Sequence, residues 1–156
     1  MKKLIVPLLW CITFTSAAQS NDHISVVNQK IVSNYYEYLF KTGDFESMAK
    51  IIAKDAIYTQ AEGLPYGGTY VGFNEWMKMF TKAQTYFDLK IEEEPIYYSN
   101  TVNTDIMIRF TIRCTAKTTH KDIVMPISEY FQIKDGLIVG IRPFYFDTKA
   151  FSDFLK

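Results

Sequence analysis

The sequence predicts one α+β domain in which helices precede an antiparallel sheet, and two patterns carry this prediction. Apolar residues recur at helical spacing in the first half, as Val27, Ile31 and Tyr35 do. In the second half they alternate with polar residues along extended segments, as strands require. A helical half followed by a strand half is the layout of an α+β protein. With 156 residues, of which 48% are hydrophobic, the chain can bury one sizeable core.

The first 18 residues have the layout of a secretory signal peptide. Lys2 and Lys3 precede an apolar run from Leu4 to Phe14, and small residues follow up to Ala18. We therefore expect cleavage after Ala18 and a single mature domain of residues 19–156, either periplasmic or secreted. The apolar run is short for a bilayer, so no membrane span is expected in the mature protein.

Composition excludes several classes of function. Without the leader, 15 basic and 17 acidic residues remain, a formal charge of −2 that does not suit nucleic acid. Cys114 is then the only cysteine, which excludes an intrachain disulfide, and a lipid anchor at Cys11 is disfavoured by the bulky Trp10 before it. His23 and His120 are the only histidines. We therefore expect no metal site, no Ser/His/Asp triad and no cofactor.

Two helices are expected at the start of the mature domain. The first covers residues 25–41, and the run Thr42-Gly43-Asp44 ends it. Asp44 is also placed to cap a second, short helix that carries Phe45 and Met48.

A short strand, a loop and a third helix follow. The strand covers residues 56–60, with Tyr58 and Gln60 on one side. The Gly- and Pro-rich loop 61–68 is expected to form a rim or lid. The helix covers residues 73–83 and presents Trp76 and Phe80 along one stripe.

Four long strands are expected in the second half, over residues 87–98, 104–117, 123–134 and 137–146. Pro95 indicates a bulge or an edge in the first of them. Asp135-Gly136 joins the last two, because this pair accepts the positive φ angles of a tight hairpin turn. The tail, residues 148–155, is expected to form a last helical turn.

Glu129 stands in the middle of an apolar row on the strand 123–134. Its neighbours on the same face are Ile127 and Phe131. Burying a carboxylate costs several kcal/mol unless it is paired or protonated, so this residue has either a chemical role or a structural partner. Desolvation should raise its pKa above the ~4.3 of a free glutamate.

The order of elements and three local motifs resemble the SnoaL-like and ketosteroid-isomerase-like branch of the nuclear transport factor 2-like (NTF2-like) superfamily. The motifs are residues 36–44, the loop 64–70 leading to Gly72, and residues 135–145. The resemblance covers residues 25–154. It implies a cystatin-like cone, in which three N-terminal helices pack in the concave face of a strongly curved antiparallel sheet around an apolar pocket.

Strand parity independently places Phe110, Phe131, Ile141 and Tyr145 toward such a pocket, which would hold a small apolar or aromatic molecule. The third helix would add Trp76 and Phe80, and Tyr58 and Gln60 could order the ligand by hydrogen bonds. The expected ligand-binding residues are Tyr58, Gln60, Trp76, Phe80, Phe110, Phe131, Ile141 and Tyr145.

The resemblance also implies roles for single residues. Tyr36 matches the isomerase's oxyanion-hole tyrosine, and Glu129 matches its protonated carboxylic acid. That acid is a well-known example of a carboxyl group that stays neutral at pH 7. Gln60 occupies the position of the catalytic base, although an amide cannot abstract a proton. A cyclase-like comparison instead suggests Asp147 as the base, while Asp147 is also suited to cap the terminal turn.

Three functions stay open at this stage. The first is acid/base chemistry on a carbonyl compound, of isomerase or cyclase type and without a cofactor. The second is a binding or accessory protein that uses the same pocket without turnover. The third is a dimeric interaction module with a residual pocket. A homodimer is expected through the outer face of the sheet, where Met107, Phe144 and Phe146 lie beside Arg109 and Arg113.

Overall fold

The computed structural model describes residues 15–99 and 105–156, with side chains from residue 24 onward. The expected signal peptide lies outside the described residues except for its last part, residues 15–18, which falls in the first helix. Cleavage after Ala18 therefore stays a prediction. None of the helices in the described ranges is long and apolar enough to cross a membrane.

Three helices occur in the first half, where the sequence predicts them, and a fourth ends the chain. Their bounds are α1 Thr15–Tyr36, α2 Phe45–Lys50, α3 Gly72–Ala83 and α4 Thr148–Phe154. A π-helical turn, Glu37–Thr42, extends α1, and Gly43 ends it with a φ of 66°. Asp44 caps α2 as expected, because its side chain accepts the Ser47 N–H at 2.9 Å.

The described strands form one curved, unclosed sheet. They are β1 Ile52–Gln60, β2 Gly68–Val71, β3 Phe87–Ile91, β4 Ile96–Ser99, β5 Ile106–Ala116, β6 Asp122–Lys134 and β7 Leu137–Tyr145. The order across the sheet is β2-β1-β7-β6-β5-β3, and β4 also pairs with β5. The α+β cone predicted from the sequence is confirmed.

One pairing departs from the expected antiparallel sheet. β1 and β7 pair in parallel, with Tyr58 opposite Ile141, so the sheet is mixed. Parallel neighbours need a long connection, and the chain between these two strands includes α3 and most of the sheet. The alternation of side chains along β1 shows which residues share a face of the sheet. It does not show whether the neighbouring strand runs parallel or antiparallel to β1.

The predicted strand 87–98 is two strands in the structure. β3 and β4 both pair with β5, and the break between them covers residues 92–95. Pro95 has no N–H to donate to a sheet ladder, which is the physical reason for a break at this point.

The loop between β1 and β2 is partly a core segment, so the expectation of a rim or lid is wrong for Leu64 and Tyr66. Both side chains are buried. The Tyr70 hydroxyl donates to the Tyr66 carbonyl at 2.9 Å and to the Gly67 carbonyl at 3.2 Å. A Cβ at Gly67 would lie 2.3 Å from the Ala61 carbonyl oxygen, so only glycine fits this close turn.

The hairpin that joins β6 to β7 agrees with the prediction. Asp135 and Gly136 have φ angles of 51° and 76°, both positive as a type I′ turn requires. A one-residue shift in the pairing between Gln132 and Ile133 then sets Glu129 opposite Pro143 on β7, and Glu129 lies opposite Ile108 on β5. The turn and this shift together determine the position of Glu129 on β6, between β5 and β7.

Candidate functional site

A cavity of 260 Å³ lies among the helices and the inward faces of the strands. Its lining comes from α1, the π-helical turn, α3 and five strands, together with Tyr66 and Phe151. Three aromatic rings of α3 form a stack along this region: the ring centroids of Phe73 and Trp76 are 5.9 Å apart, and those of Trp76 and Phe80 are 5.3 Å apart. The spacing 73, 76 and 80 brings them to one face of the helix.

Eight of the site residues named from the sequence line this cavity. They are Tyr36, Tyr58, Gln60, Trp76, Phe80, Phe110, Glu129 and Tyr145. Strand parity and helix periodicity indicated most of these positions, whereas Tyr36 was named from the family resemblance.

Phe131 and Ile141 are not among the lining residues. Phe131 is fully buried, and its ring packs at 5.3 Å from Tyr35 and 6.1 Å from Tyr36 between centroids. Ile141 is buried between β1 and β6 in the register Tyr58–Ile141–Phe131. Both residues face inward as expected, yet they pack in the core and not against the cavity.

Asp147 also lies away from the cavity, so its predicted place there is wrong. It is exposed, and its carboxylate accepts the Ala150 N–H at 2.8 Å as the N-cap of α4. β7 ends at Tyr145, and the strand alternation that assigned Asp147 an inward phase ends with it. The structure favours the capping role over the role of a base.

Tyr36 and Glu129 form a hydrogen-bonded pair, the acid pair. The Tyr36 hydroxyl donates to Glu129 Oε2. Tyr36 is the last residue of α1, and its ring meets Phe110 edge to face at 5.5 Å. This packing fixes the ring, so the hydroxyl is held over β6.

The environment of the acid pair favours a protonated carboxyl group. Burial raises the pKa of Glu129 from 4.5 to about 7, while the hydrogen bond from Tyr36 acts in the opposite direction. The charged residues among those that line the cavity are Asp88 and Glu129, both acidic. Among the described residues no cation lines the cavity beside Glu129, so burial is not offset by an ion pair and the pKa of Glu129 is raised toward neutral pH.

A second polar group, the hydroxyl cluster, consists of Tyr58, Gln60, Tyr66 and Tyr145. The Gln60 amide nitrogen donates to the Tyr58 hydroxyl at 3.4 Å, and the hydroxyls of Tyr66 and Tyr145 are 3.5 Å apart. Burial raises the pKa of all three tyrosines, so they are neutral hydroxyls. The cluster offers hydrogen bonds without charge.

Several lining residues were not named from the sequence as ligand-binding. Tyr35 is one helical turn after Ile31 on the apolar face of α1, and that spacing could have identified it. Tyr66 lies in an irregular loop, where the sequence has no helical or strand periodicity from which burial could be predicted. Phe151 comes from α4 and stacks on Tyr145 at 4.7 Å. Both depend on how distant segments pack.

No group of three or more His, Cys, Asp or Glu side chains within the described ranges could hold a metal ion. Cys114 is buried, and burial raises its pKa to about 12.

The fold recurs in many solved structures of low sequence identity. An NTF2-like protein of unknown function from Burkholderia pseudomallei aligns with a TM-score of 0.73 at 21% identity, covering 83% of this chain and 98% of that one. A protein from Xanthomonas campestris, named as a candidate polyketide cyclase, aligns with a TM-score of 0.70 at 17% identity, covering 85% and 99%. TerC co-crystallised with polyporic acid aligns with a TM-score of 0.71 at 16% identity, covering 83% and 98%.

At these identities the structural matches establish the fold alone, and no curated protein matches the sequence significantly. The model of the SnoaL-like domain matches residues 32–141, which include α3, the acid pair and most of the sheet. The chain therefore belongs to the SnoaL-like domain family.

Proposed function

We propose that this protein binds an uncharged carbonyl compound in its cavity and promotes cofactor-free acid/base chemistry on it, of isomerase or cyclase type. The observation that carries the proposal is the acid pair. A carboxyl group with a raised pKa and a tyrosine hydroxyl together face an aromatic cavity. The protonated carboxyl group of Glu129, held by the Tyr36 hydroxyl, is a donor that stabilises the negative charge developing on a carbonyl oxygen during enolisation.

The chemistry follows from the two protonation states of Glu129. As a neutral acid it gives its proton to the carbonyl oxygen, while water takes the proton from the adjacent carbon, and the enol forms. Water then returns a proton to the carboxylate. A pKa of about 7 suits this exchange, because an acid/base group works best when its pKa lies near the operating pH.

A second candidate function is binding without turnover, and Gln60 favours it. The isomerase has its catalytic base at this position, whereas an amide cannot take a proton. Asp147, the other suggested base, is a helix cap outside the cavity. The names of two structural neighbours, one a candidate polyketide cyclase and one a complex with polyporic acid, support small-molecule chemistry in this fold without deciding between the two functions.

Proton exchange separates these candidates. The protein is incubated with α-tetralone, a bicyclic ketone, in heavy water, and exchange of the protons next to the carbonyl is followed by NMR. We expect wild type to accelerate exchange and Glu129→Gln to lose at least tenfold of that rate while still binding the ketone. Binding is read from the fluorescence of Trp76, which is the only tryptophan after residue 18. Binding without accelerated exchange would identify a binding protein, and absence of binding would reject both.

Mass spectrometry of small molecules that copurify with the protein would identify the natural ligand class. We expect a neutral aromatic or apolar compound with a carbonyl group. Recovery of carboxylates or phosphates alone would contradict the proposal, since the cavity lining carries no Lys or Arg among the described residues.

A further inference from the structure

Trp76 on α3 has a buried indole N–H without a hydrogen-bond partner. Among the described residues, it is the one side-chain nitrogen or oxygen atom that is fully buried and unpaired. The residue as a whole is 3% exposed, and it lines the cavity. A buried tryptophan N–H usually has a partner, because an unpaired donor has lost its hydrogen bonds to water. This donor in the cavity wall is therefore available to an acceptor that enters the cavity.

The packing around Trp76 fixes the plane of its indole ring. Phe73 and Phe80 stack on it, with interplanar angles of 20° and 6°. Tyr35 and Tyr58 meet it edge to face, at centroid distances of 6.0 Å and 6.3 Å. The ring cannot turn without disrupting these four aromatic contacts. A donor held in this way needs no reorganisation when an acceptor arrives.

Tyr35 is a polar neighbour of the indole N–H. Burial raises the pKa of Tyr35, and Trp76 acts against this shift in the manner of a hydrogen-bond donor, so the N–H lies on the side of the Tyr35 hydroxyl. The two groups nevertheless do not reach hydrogen-bonding geometry, and the N–H stays unpaired. Tyr35 also lines the cavity, and its ring centroid is 5.3 Å from that of Tyr36. The N–H is thus oriented toward the part of the cavity that holds the acid pair.

The polar groups of the cavity are grouped around Glu129. Its negative charge adds to the effect of burial in raising the pKa of four cavity tyrosines, which are Tyr35, Tyr36, Tyr58 and Tyr145. Because the effect of a charge falls with distance, these hydroxyls and Glu129 belong to one polar region. Two of the four, Tyr35 and Tyr58, are the tyrosines that meet the ring of Trp76.

The acid pair supplies only one hydrogen bond to a substrate oxygen. The Tyr36 hydroxyl donates to Glu129 Oε2, so its proton is not available to the substrate. The protonated carboxyl group of Glu129 has one O–H to donate. A carbonyl oxygen has two lone pairs and gains negative charge as the enol forms, so a second donor would stabilise it further.

We propose that the indole N–H of Trp76 is the second donor to the carbonyl oxygen of the substrate, so that Glu129 and Trp76 together stabilise the charge that develops on this oxygen. This inference rests on the proposed function, because it assumes that Glu129 binds the carbonyl group. Glu129 transfers its proton to the oxygen, whereas Trp76 keeps its proton, since an indole N–H acts only as a hydrogen-bond donor. Trp76 is therefore a catalytic residue as well as part of the aromatic wall.

The first test observes the indole proton directly. Trp76 is the only tryptophan after residue 18, so the mature protein labelled with nitrogen-15 tryptophan gives one indole N–H signal in NMR. We expect α-tetralone to move this proton signal downfield, because a new hydrogen bond deshields the proton. Tetralin, the hydrocarbon with the same ring skeleton and no oxygen, is the matched ligand and should not cause this downfield shift.

The second test removes the donor while keeping the shape of the ring. The mature protein is produced in a tryptophan auxotroph with 3-benzothienylalanine, in which sulfur takes the place of the N–H group of Trp76. The matched control is 5-fluorotryptophan, incorporated in the same way, which keeps the N–H. We expect the exchange rate of α-tetralone to fall about a hundredfold with the sulfur analogue, the lower end of the effect of removing one oxyanion-hole donor, and to be retained in the control.

The loss should be larger in the rate than in the affinity. Negative charge on the oxygen develops only during the reaction, so the affinity for α-tetralone, measured by calorimetry, should fall by less than about tenfold. A side chain that only maintains the fold would not produce this difference between rate and affinity. Circular dichroism and thermal melts confirm that both substituted proteins are folded.

The outcomes separate this inference from the proposed function. Wild type that accelerates exchange, together with a sulfur analogue that keeps the same rate, would reject the role of Trp76 and leave the proposed function intact. The same conclusion follows if affinity falls as much as the rate, or if bound α-tetralone moves the indole proton no further than tetralin does. Absence of accelerated exchange by wild type would reject the proposed chemistry, and this inference with it.

Discussion

Glu129 is a carboxylic acid at a position where glutamine would provide the same shape and hydrogen bond. Its neighbours on β6 and β5 include Ile127, Phe131 and Ile108, and its partner is Tyr36. Because burial raises its pKa to about 7, ionisation at neutral pH works against folding. A titrating group that lowers stability at this position is better explained by a role in proton exchange than by a role in packing.

Glu129→Gln should change how stability depends on pH. A raised pKa means that the folded state binds the proton more tightly, so the contribution of Glu129 is fully present below about pH 4.5 and is lost as pH rises through about 7. The loss is at most about 3 kcal/mol for this shift. The variant should match wild type at low pH and be relatively more stable at pH 8 in urea melts. Lower stability of the variant at neutral pH would indicate an ionised, structural glutamate.

Tyr36→Phe should move the same profile toward higher pH. The hydrogen bond from Tyr36 stabilises the carboxylate, so its removal raises the pKa of Glu129 further. The stability contribution of Glu129 would then be lost at a higher pH than in wild type, which urea melts at several pH values measure. Tyr98→Phe, at an exposed site, is the control and should leave the profile unchanged. An unchanged profile in Tyr36→Phe would show that the two residues are not coupled.

At the scale of elements, helix ends place the side chains that the site uses or excludes. α1 ends at Tyr36 and continues as a π-helical turn, a wider form of helix that is frequent near functional sites. α4 begins after Asp147, which caps it and thereby takes its carboxylate away from the cavity. α4 also packs Phe151 against Tyr145, and both residues line the cavity. By capping α4, Asp147 therefore contributes to the cavity wall indirectly.

Substitutions of Asp147 separate a cap from a base. Asp147→Asn keeps an oxygen that accepts the Ala150 N–H and should therefore retain stability and proton exchange. Asp147→Ala should cost about 1 kcal/mol of unfolding free energy, the usual value for a lost N-cap. Thermal melts and the ketone exchange assay measure the two effects. Loss of exchange in the Asn variant, with stability intact, would restore Asp147 as the base.

At the scale of the whole molecule, the sheet has an inner face around the cavity and an outer face with exposed apolar side chains. Phe144 on β7 is 48% exposed, and Phe146, directly after this strand, is 81% exposed. Arg113 on this sheet pairs with Glu92 at 2.6 Å and with Asp122 at 2.9 Å. We propose, as the sequence already suggests, that the outer face pairs two copies of the chain.

Phe144→Glu should shift the mature protein from dimer to monomer, because a carboxylate in a closed interface is left desolvated. Light scattering should give about twice the monomer mass for wild type. Thr81→Glu adds the same charge at an exposed position of α3 and should stay dimeric. A monomeric wild type at high micromolar concentration would remove the proposed dimer.

Export of the protein is a further proposal at this scale. The basic residues Lys2 and Lys3, the apolar run and the small residues before Gln19 predict a mature chain that begins at Gln19. N-terminal sequencing of protein recovered from the periplasm or medium checks this prediction. Recovery of the active protein with Met1 intact would contradict it.

Local patterns in the sequence determined most of the elements and the inward faces of the strands. Helical spacing identified α1 and α3, alternation identified β5, β6 and β7, and Asp135-Gly136 identified the turn between the last two. Because these signals depend on residues within a few positions of one another, they also found Glu129 and several other residues of the cavity lining.

Only the tertiary structure decided which segments meet. The parallel pairing of β1 with β7, the burial of Tyr66 from an irregular loop and the packing of Phe151 join residues far apart in the chain. The capping role of Asp147 depends on where β7 ends and α4 begins. Periodicity shows which face of an element is apolar, but the partner of that face is selected by the free energy of packing the whole chain, which no local pattern contains.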